Sequence, residues 1–385
     1  MPHWLEQILG ILLVLFILVD VFLTVLYARM GAGILSTQLA RVVWRGFRAL
    51  ARLLGARSRM LLSFCGPFIL VSVLLVWALA LAVGVALIIH PKLGTSVTAT
   101  SGPTPTDFAT ALYASGGSIS IVGGSNFQPE TAGFRLLFLV NSIVGMSVIS
   151  LTVTYLLQVY NALYRRNATG FALHLASAET GDAAEIVVGL APEGEVSGGY
   201  TNLSEIAAQI AGVKESHHFY PVLFYFRFPD AQYAVSRMAL LTLDAISLVK
   251  SGLDDQRYAW LKESMALTQL WHGSLDLIKG LGEGFLPEAM PRGTEAKQPD
   301  QSVQARWRNR YFAGLRRFHQ AGIQTIADEQ EGASAYVKLR TEWDAHLKTL
   351  AGALGYTVDE IDLATTRPDV AEQRPPVQAR RRFAG

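Results

Sequence analysis

Three long apolar stretches occupy the first half of the chain, at residues 4–27, 62–89 and 134–164. A helix rises about 1.5 Å per residue and the hydrocarbon core of a bilayer is about 30 Å thick, so each stretch can cross a membrane as a helix. Trp4 and Tyr27 stand at the two ends of the first stretch, where interfacial aromatic residues are common. The pattern predicts three transmembrane helices.

The segment between the first two stretches is basic and amphipathic. Apolar residues recur at helical spacing in residues 29–61, which contain no acidic residue and carry Arg29, Arg41, Arg45, Arg48, Arg52, Arg57 and Arg59. Such a segment is typical of a helix that lies on an anionic membrane surface. Because basic loops stay on the cytoplasmic side, we expect the N-terminus outside and the C-terminus in the cytoplasm.

One acidic residue, Asp20, lies inside the first apolar stretch. A charged side chain within a span costs roughly 2.5–3.5 kcal/mol on insertion scales. We therefore expect Asp20 to face protein, water or a basic partner, and we favour a structural or gating contact with a neighbouring basic residue over an ion site.

Residues 115–129, rich in Gly and Ser, separate the second and third stretches, and a short helix is predicted over residues 106–114. Irregular backbone at membrane depth survives only where it is buried in protein or lines a water-filled path. In the third stretch, Asn141, Gly145 and Thr152 fall near one helix face. Their positions suit either a wet inner cavity or hydrogen bonds between helices.

Together these elements resemble the pore-loop potassium channel family, including bacterial members with an extra leading span. The match covers residues 106–160 and is carried by Asp107, Phe108, Ala111, Leu112, Tyr113, Val122, Gly123, Pro129, Gly133, Arg135 and Gly145. The resemblance implies an all-α membrane protein with three transmembrane helices, a re-entrant pore helix and filter loop, and a helical cytoplasmic C-terminal domain.

The resemblance also implies a selectivity filter, in which backbone oxygens replace the water shell of an ion. Its candidate residues are Ser118, Ile119, Ser120, Ile121, Val122, Gly123, Gly124, Ser125 and Asn126. The family signature Thr-Val-Gly-Tyr-Gly-Asp is altered here, with Ile121, Gly124, Ser125 and Asn126 in place of Thr, Tyr, the second Gly and Asp. Potassium selectivity is therefore not implied. The negative end of the pore-helix dipole still favours cations.

The second half of the chain shows helical periodicity. Helices are predicted over residues 203–213, 231–250, 258–281, 307–318 and 336–354, and the apolar run from Arg237 to Asp244 is too short to cross a membrane. The predicted organisation is a first span (1–28), a basic amphipathic helix (29–61), a pore domain (62–166), a helical cytoplasmic domain (167–363) and a disordered basic tail (364–385).

The composition agrees with a membrane protein and indicates no particular catalytic or binding chemistry. The chain has 385 residues, of which 51% are hydrophobic and 17% charged, against roughly 25% charged in an ordinary soluble protein. A net charge of +2 favours no nucleic-acid partner, and the single cysteine, Cys65, excludes an intramolecular disulfide. No metal motif, phosphate-binding loop or catalytic triad is found, so we expect no enzyme and no cofactor other than permeant inorganic ions.

The resulting hypothesis is a homotetrameric ion channel of a bacterial inner membrane, whose partners are lipids and further copies of the chain. The inner cavity or gate would involve Asn141, Gly145 and Thr152. A cation pathway is favoured, while an anion-permeable or non-selective pore of the same fold and a non-conducting membrane sensor or scaffold stay open as alternatives. A membrane enzyme is disfavoured, because the C-terminal half offers no clustered nucleophile and base.

Overall fold

The structure is a computed structural model that describes residues 2–27, 33–55, 58–120, 126–191, 194, 198–286, 288, 290 and 299–363. It is 79% helical. The chain forms two compact units, an N-terminal unit (residues 1–49, 64–161 and 219–222) and a C-terminal unit (residues 50–63, 162–218 and 223–385). Residues 121–125 of the predicted filter and the predicted tail 364–385 lie outside the described residues.

The first part of the chain contains six helices and two short strands within the described residues. In chain order they are α1 (His3–Val21), continued by a π-helical turn (Phe22–Leu26), α2 (Ile34–Leu54), α3 (Ser58–Ser63), α4 (Cys65–Ile89), β1 (Val97–Ala99), α5 (Phe108–Ile119), β2 (Phe127–Pro129) and α6 (Ala132–Ala176).

Three helical segments, His3–Leu26, Cys65–Lys92 and Ala132–Ala176, are long and apolar enough to cross a membrane. This agrees with the number and order of the predicted spans. The third helix differs in length, because α6 continues to Ala176 rather than ending at residue 164.

Close packing of α1 on α4 forms the centre of the N-terminal unit. A Cβ atom on Gly10 would lie 2.5 Å from the Gly84 carbonyl oxygen, and a Cβ on Gly84 would lie 2.8 Å from a Val14 methyl. Small residues allow helix backbones to approach closely in membranes. The far end of α4 joins a buried cluster that includes Ala86, Ile89, Leu93, Val97 and Ala111, so α5 packs on the same core.

The regular structure of the C-terminal unit among the described residues is helical, apart from one isolated antiparallel bridge between Leu253 and Thr325. Its further elements are α7 (Ala183–Leu190), α8 (Gly199–Phe219), α9 (Val235–Gly252), α10 (Ala259–Lys262), α11 (Met265–Phe285), α12 (Gln301–Gln320), α13 (Glu329–Thr341), α14 (Asp344–Ala353) and α15 (Val358–Ile361). Every residue of α9 except Lys250 is buried. This confirms the predicted buried helix around Arg237 and Asp244.

Two predicted helices are interrupted in the C-terminal unit. The segment 258–281 is divided into α10 and α11, because Ser264 caps the second helix by accepting a hydrogen bond from the Leu267 amide. The segment 336–354 is divided into α13 and α14, with Trp343 in a non-helical conformation between them. Side-chain periodicity continues through both breaks, so the pattern alone did not reveal them.

Candidate functional site

The short helix α5 lies between the apolar helices α4 and α6 in sequence and leads directly into the segment predicted as a filter. Asp107 caps its N-terminus by accepting hydrogen bonds from the Thr110 amide (2.9 Å) and hydroxyl (2.7 Å). These bonds hold the pKa of the Asp107 carboxyl below its usual range. The helix therefore begins at a defined, ionised cap.

The end of α5 differs from the prediction. Residues 115–119 were expected in a loop but form the last helical turns, so Ser118 and Ile119 are helical and Ser120 is the C-cap. The Ser115 hydroxyl donates to the Ala82 carbonyl of α4 at 2.7 Å. Because Ala111, Ala114 and Ser115 are fully buried, packing outweighs the poor helix propensity of the Gly and Ser residues.

A buried hydrogen bond joins α5 to α6. The Asn141 side-chain amide donates to the Ser118 hydroxyl at 3.3 Å, and that hydroxyl donates to the Ser115 carbonyl at 2.8 Å. The sequence left two possibilities open for Asn141, a wet inner cavity or a hydrogen bond between helices. The structure shows the hydrogen bond between helices.

Gly145 lies one turn beyond Asn141 and contacts the very end of α5. A Cβ atom at this position would overlap the Ile119 carbonyl oxygen and approach the Ile119 Cγ2 to 2.9 Å. Glycine is thus required for α6 to pass this close to the last residue of α5. Thr152 is two turns further along α6 and is partly exposed.

A two-stranded antiparallel ribbon holds the chain on the other side of residues 121–125. β1 pairs with β2 in the register Val97↔Pro129, Thr98↔Gln128 and Ala99↔Phe127. The Asn126 carbonyl accepts from the Thr100 amide at 2.8 Å. Asn126 therefore starts the ribbon.

Aromatic contact also ties the ribbon to α5. The Tyr113 and Phe127 rings meet edge to face with centroids 6.2 Å apart, a favourable arrangement for aromatic pairs. Arg135 of α6 donates to the Pro129 carbonyl at 3.2 Å. The helix, the ribbon and the start of α6 thus form one connected scaffold.

Asp20 has partners of a different kind from those expected. Its buried carboxylate accepts from the Leu35 amide (2.7 Å), the Ser36 amide (3.3 Å), the Ser36 hydroxyl and the Trp77 indole (2.8 Å). Among the described residues no basic side chain pairs with Asp20, and the first turn of α2 instead supplies the positive end of a helix dipole to this carboxylate. The sequence did not show that α2 begins beside Asp20.

A buried network of charges in the C-terminal unit was missed by the sequence analysis. Asp244 of α9 accepts from Arg310 (3.0 Å), Arg340 (3.3 Å) and the Tyr336 hydroxyl. Arg310 also pairs with Asp182, and Arg340 with Asp362. Asp244 inside an apolar run was the only sequence signal, since its partners come from helices that lie far along the chain.

This network has the chemistry of a structural ion-pair cluster. Each of its two arginines pairs with two of its three carboxylates, and burial raises the pKa of Tyr336 above its usual range. Within the described residues, no group of three or more His, Cys, Asp or Glu side chains could hold a metal ion. Breaking a buried pair of this kind leaves an uncompensated charge, so the network ties α9 to α12 and α13.

The described helices define a helical membrane protein with three candidate membrane-spanning helices. The chain is similar to an uncharacterized membrane protein of Bacillus subtilis (strain 168), YdjJ, with 25% identity over 250 residues, which are 65% of this chain and 71% of that protein. No protein-family model matches the chain. No solved structure matches it either.

Proposed function

We propose that the chain is one subunit of an ion channel in which α5 enters the membrane without crossing it and residues 121–125 line the narrow part of the pore. The observation that carries this proposal is the attachment of α5. Its end is fixed to α4 by Ser115 and to α6 by Asn141 and Gly145. A helix that is held between two candidate spans and points its C-terminus at a Gly-rich segment suits a pore that replaces ion hydration with backbone oxygens.

The exposed face of α6 supports the presence of several copies around one pore. The helix has an exposed polar stripe at consecutive turns, formed by Ser147, Ser150, Thr154 and Gln158. Polar side chains at membrane depth face protein or water rather than lipid. In our proposal this stripe lines the inner cavity of a homotetramer, while Asn141 and Gly145 position α5 from the opposite face.

The dipole of α5 favours cations in this pore. The C-terminal end of a helix carries about half a negative elementary charge, and α5 ends at Ile119, immediately before residues 121–125. Asn126, where the family signature has Asp, adds no fixed charge. We therefore propose a cation pathway that discriminates only modestly between ions.

The arginines of α2 set the proposed orientation. Arg41, Arg45, Arg48 and Arg52 belong to one helix between the first two candidate spans. The positive-inside rule places this helix and the C-terminal unit in the cytoplasm and the N-terminus outside. A bacterial inner membrane, with its anionic lipids as partners, suits this arrangement.

The experiment that tests the function is a reversal-potential measurement on purified protein in planar bilayers with asymmetric KCl. A cation pathway shifts the reversal potential toward the potassium Nernst potential, and substitution of sodium then measures discrimination. A reversal near the chloride potential contradicts the cation preference and supports an anion pore. Absence of current from protein that is tetrameric in detergent contradicts the channel and supports a non-conducting sensor or scaffold.

A further inference from the structure

The helix α2 exposes a stripe of side chains that changes from apolar to cationic along the helix. Ile34, Gln38, Arg41 and Arg45 are all exposed. They follow one another at spacings of four, three and four residues, so they lie on one face of the helix. Trp44 points to a different side of α2, where it is buried. The helix therefore packs on protein with one side and presents this exposed stripe on another.

The two arginines of the stripe have no counter-charge on the protein. Among the described residues, neither Arg41 nor Arg45 takes part in a hydrogen bond or an ion pair, and residues 29–61 contain no acidic residue. Like charges four residues apart on a helix repel each other. An anion that lies between the two guanidinium groups would remove this repulsion.

The helix α2 runs along α4 rather than across its end. Near the start of α2, the Ser36 hydroxyl and the Trp77 indole of α4 donate to the same oxygen of Asp20. Further along, the rings of Phe47 and Phe68 have their centroids 5.4 Å apart. Residue numbers rise along α2 and fall along α4 between these two contacts, so the two helices are antiparallel here.

The candidate span Cys65–Lys92 gives these two contacts a depth. About 20 helical residues cross a hydrocarbon core of about 30 Å, so a core with one edge at His90 has its other edge near Leu70. Trp77 then lies about 10 Å inside this second edge, and Phe68 lies about 3 Å outside it. The helix α2 therefore crosses the level of the lipid headgroups between its two contacts with α4.

The exposed stripe of α2 is thus ordered by depth. Ile34, which is 53% exposed, lies at the deep end, where an exposed apolar side chain faces acyl chains rather than water. Arg41 and Arg45 lie where the helix reaches the headgroups, and arginine binds phosphate through parallel N–H donors. The order of these side chains is that of one phospholipid molecule, from its acyl chains to its phosphate.

We propose that Arg41 and Arg45 bind the phosphate of an anionic phospholipid in the cytoplasmic leaflet, with an acyl chain of that lipid along Ile34. The bound lipid removes the repulsion between the arginines and stabilises the packing of α2 on α4. A zwitterionic lipid offers the same phosphate, but its ammonium group opposes the two guanidinium groups. The site rests on the membrane placement in the proposed function and not on ion conduction.

The test is native mass spectrometry of the full-length chain in detergent, titrated with phosphatidylglycerol and, in parallel, with phosphatidylcholine. Each basic residue at an anionic surface raises affinity about fivefold, so we expect wild type to prefer phosphatidylglycerol by about 30-fold. The double variant Arg41→Gln/Arg45→Gln should lose this preference. Ile34→Gln should weaken the binding of both lipids roughly tenfold, because both have acyl chains.

The double variant Arg306→Gln/Lys338→Gln is the matched control. Both residues are exposed on the C-terminal unit, so this variant loses the same charge outside α2 and should keep the preference for phosphatidylglycerol. Three results overturn the proposal. They are equal binding of the two lipids by wild type, a preference that survives in Arg41→Gln/Arg45→Gln, and a preference that is lost in the control.

Thermal unfolding of the same samples distinguishes a lipid from a soluble anion. Phosphatidylglycerol should raise Tm because it binds the folded state, whereas glycerol phosphate at the same concentration should leave Tm unchanged. An equal rise with glycerol phosphate overturns the lipid assignment. Currents in bilayers test the pore separately. Protein that prefers phosphatidylglycerol but passes no current keeps this site and contradicts the channel, and conducting protein without the preference does the opposite.

Discussion

The Trp77 indole donates a 2.8 Å hydrogen bond to the Asp20 carboxylate, and both residues are buried. The same carboxylate accepts from the first amides of α2 at Leu35 and Ser36. One acidic side chain therefore joins α1, α2 and α4. The charge that is costly in a lone apolar helix is stabilised here by oriented donors.

We expect Asp20→Asn to lower the free energy of unfolding by about 1–3 kcal/mol, the range for hydrogen bonds to a charged group. Trp77→Phe removes one of the donors and should cost about 1 kcal/mol. Because both changes break the same hydrogen bond, the double variant should lose less stability than the sum of the two single variants. Reversible unfolding in mixed SDS micelles measures all three.

Trp4→Phe is the control for this cycle, since Trp4 is 63% exposed and its loss should change stability little. If the stability losses of Asp20→Asn and Trp77→Phe add up strictly in the double variant, the hydrogen bond between Trp77 and Asp20 contributes nothing to stability.

Gly145→Ala should reduce channel current, because the added methyl overlaps the Ile119 carbonyl at the end of α5. Overpacking of this kind costs typically about 1–3 kcal/mol, which corresponds to a shift of roughly fivefold to 150-fold in a two-state equilibrium. We therefore expect the macroscopic current per tetramer to fall at least about fivefold. Currents in bilayers, normalised to reconstituted protein, provide the measurement.

Gly133→Ala on the same helix is the matched control for this prediction. A Cβ atom there meets no atom within 4 Å, so the current should stay at the wild-type level. If Gly145→Ala conducts like Gly133→Ala, the contact between α6 and α5 does not hold the conducting arrangement.

The spans were predictable because their signal is local. Apolar length alone located α1, α4 and the membrane part of α6, and the short helix predicted from residue 106 agrees with the start of α5 at Phe108. The end of α5 was not predictable, because Gly and Ser residues are poor helix formers and tertiary contacts, such as that of Ser115 with Ala82, keep them helical.

Partners that come from distant parts of the chain explain the other differences. Asp20 and Asp244 were both visible as acids in apolar surroundings. Their partners are the first turn of α2 in one case and Arg310, Tyr336 and Arg340 in the other. A single sequence shows that such an acid needs a donor but not which one, since that choice is made by tertiary packing.

The stability of the C-terminal unit should depend on pH through His217. Its pKa is lowered to about 3 by burial and Arg166, against about 6.5 in an unfolded chain. Between these values the unfolded state binds the proton and the folded state does not, so stability is full above about pH 6.5 and falls as the pH drops. The slope is about 1.4 kcal/mol per pH unit, or roughly 2 kcal/mol between pH 6.5 and 5.

Denaturant unfolding of His217→Gln at several pH values checks this dependence. The variant should be less stable at pH 7.5 because it loses the bond to the Val213 carbonyl, and its stability should fall less steeply below pH 6.5. The exposed His272 provides the control, and His272→Gln should follow the wild-type profile. If the stability of His217→Gln falls with pH as steeply as that of the wild type, groups other than His217 cause the pH dependence.

Cysteine accessibility distinguishes a water-filled cavity from a lipid-facing surface on α6. Ser147 and Thr154 lie on the exposed polar stripe, whereas Val153 is exposed on an apolar part of the same helix. Ser147→Cys and Thr154→Cys should react with a charged, water-soluble methanethiosulfonate that blocks current, because thiolates form in water and not in lipid.

Val153→Cys should stay unmodified, and the native Cys65 gives little background since it is fully buried. Equal protection of all three introduced cysteines would place the polar stripe in a dry contact between helices, and the inner cavity would then have to be formed by another face.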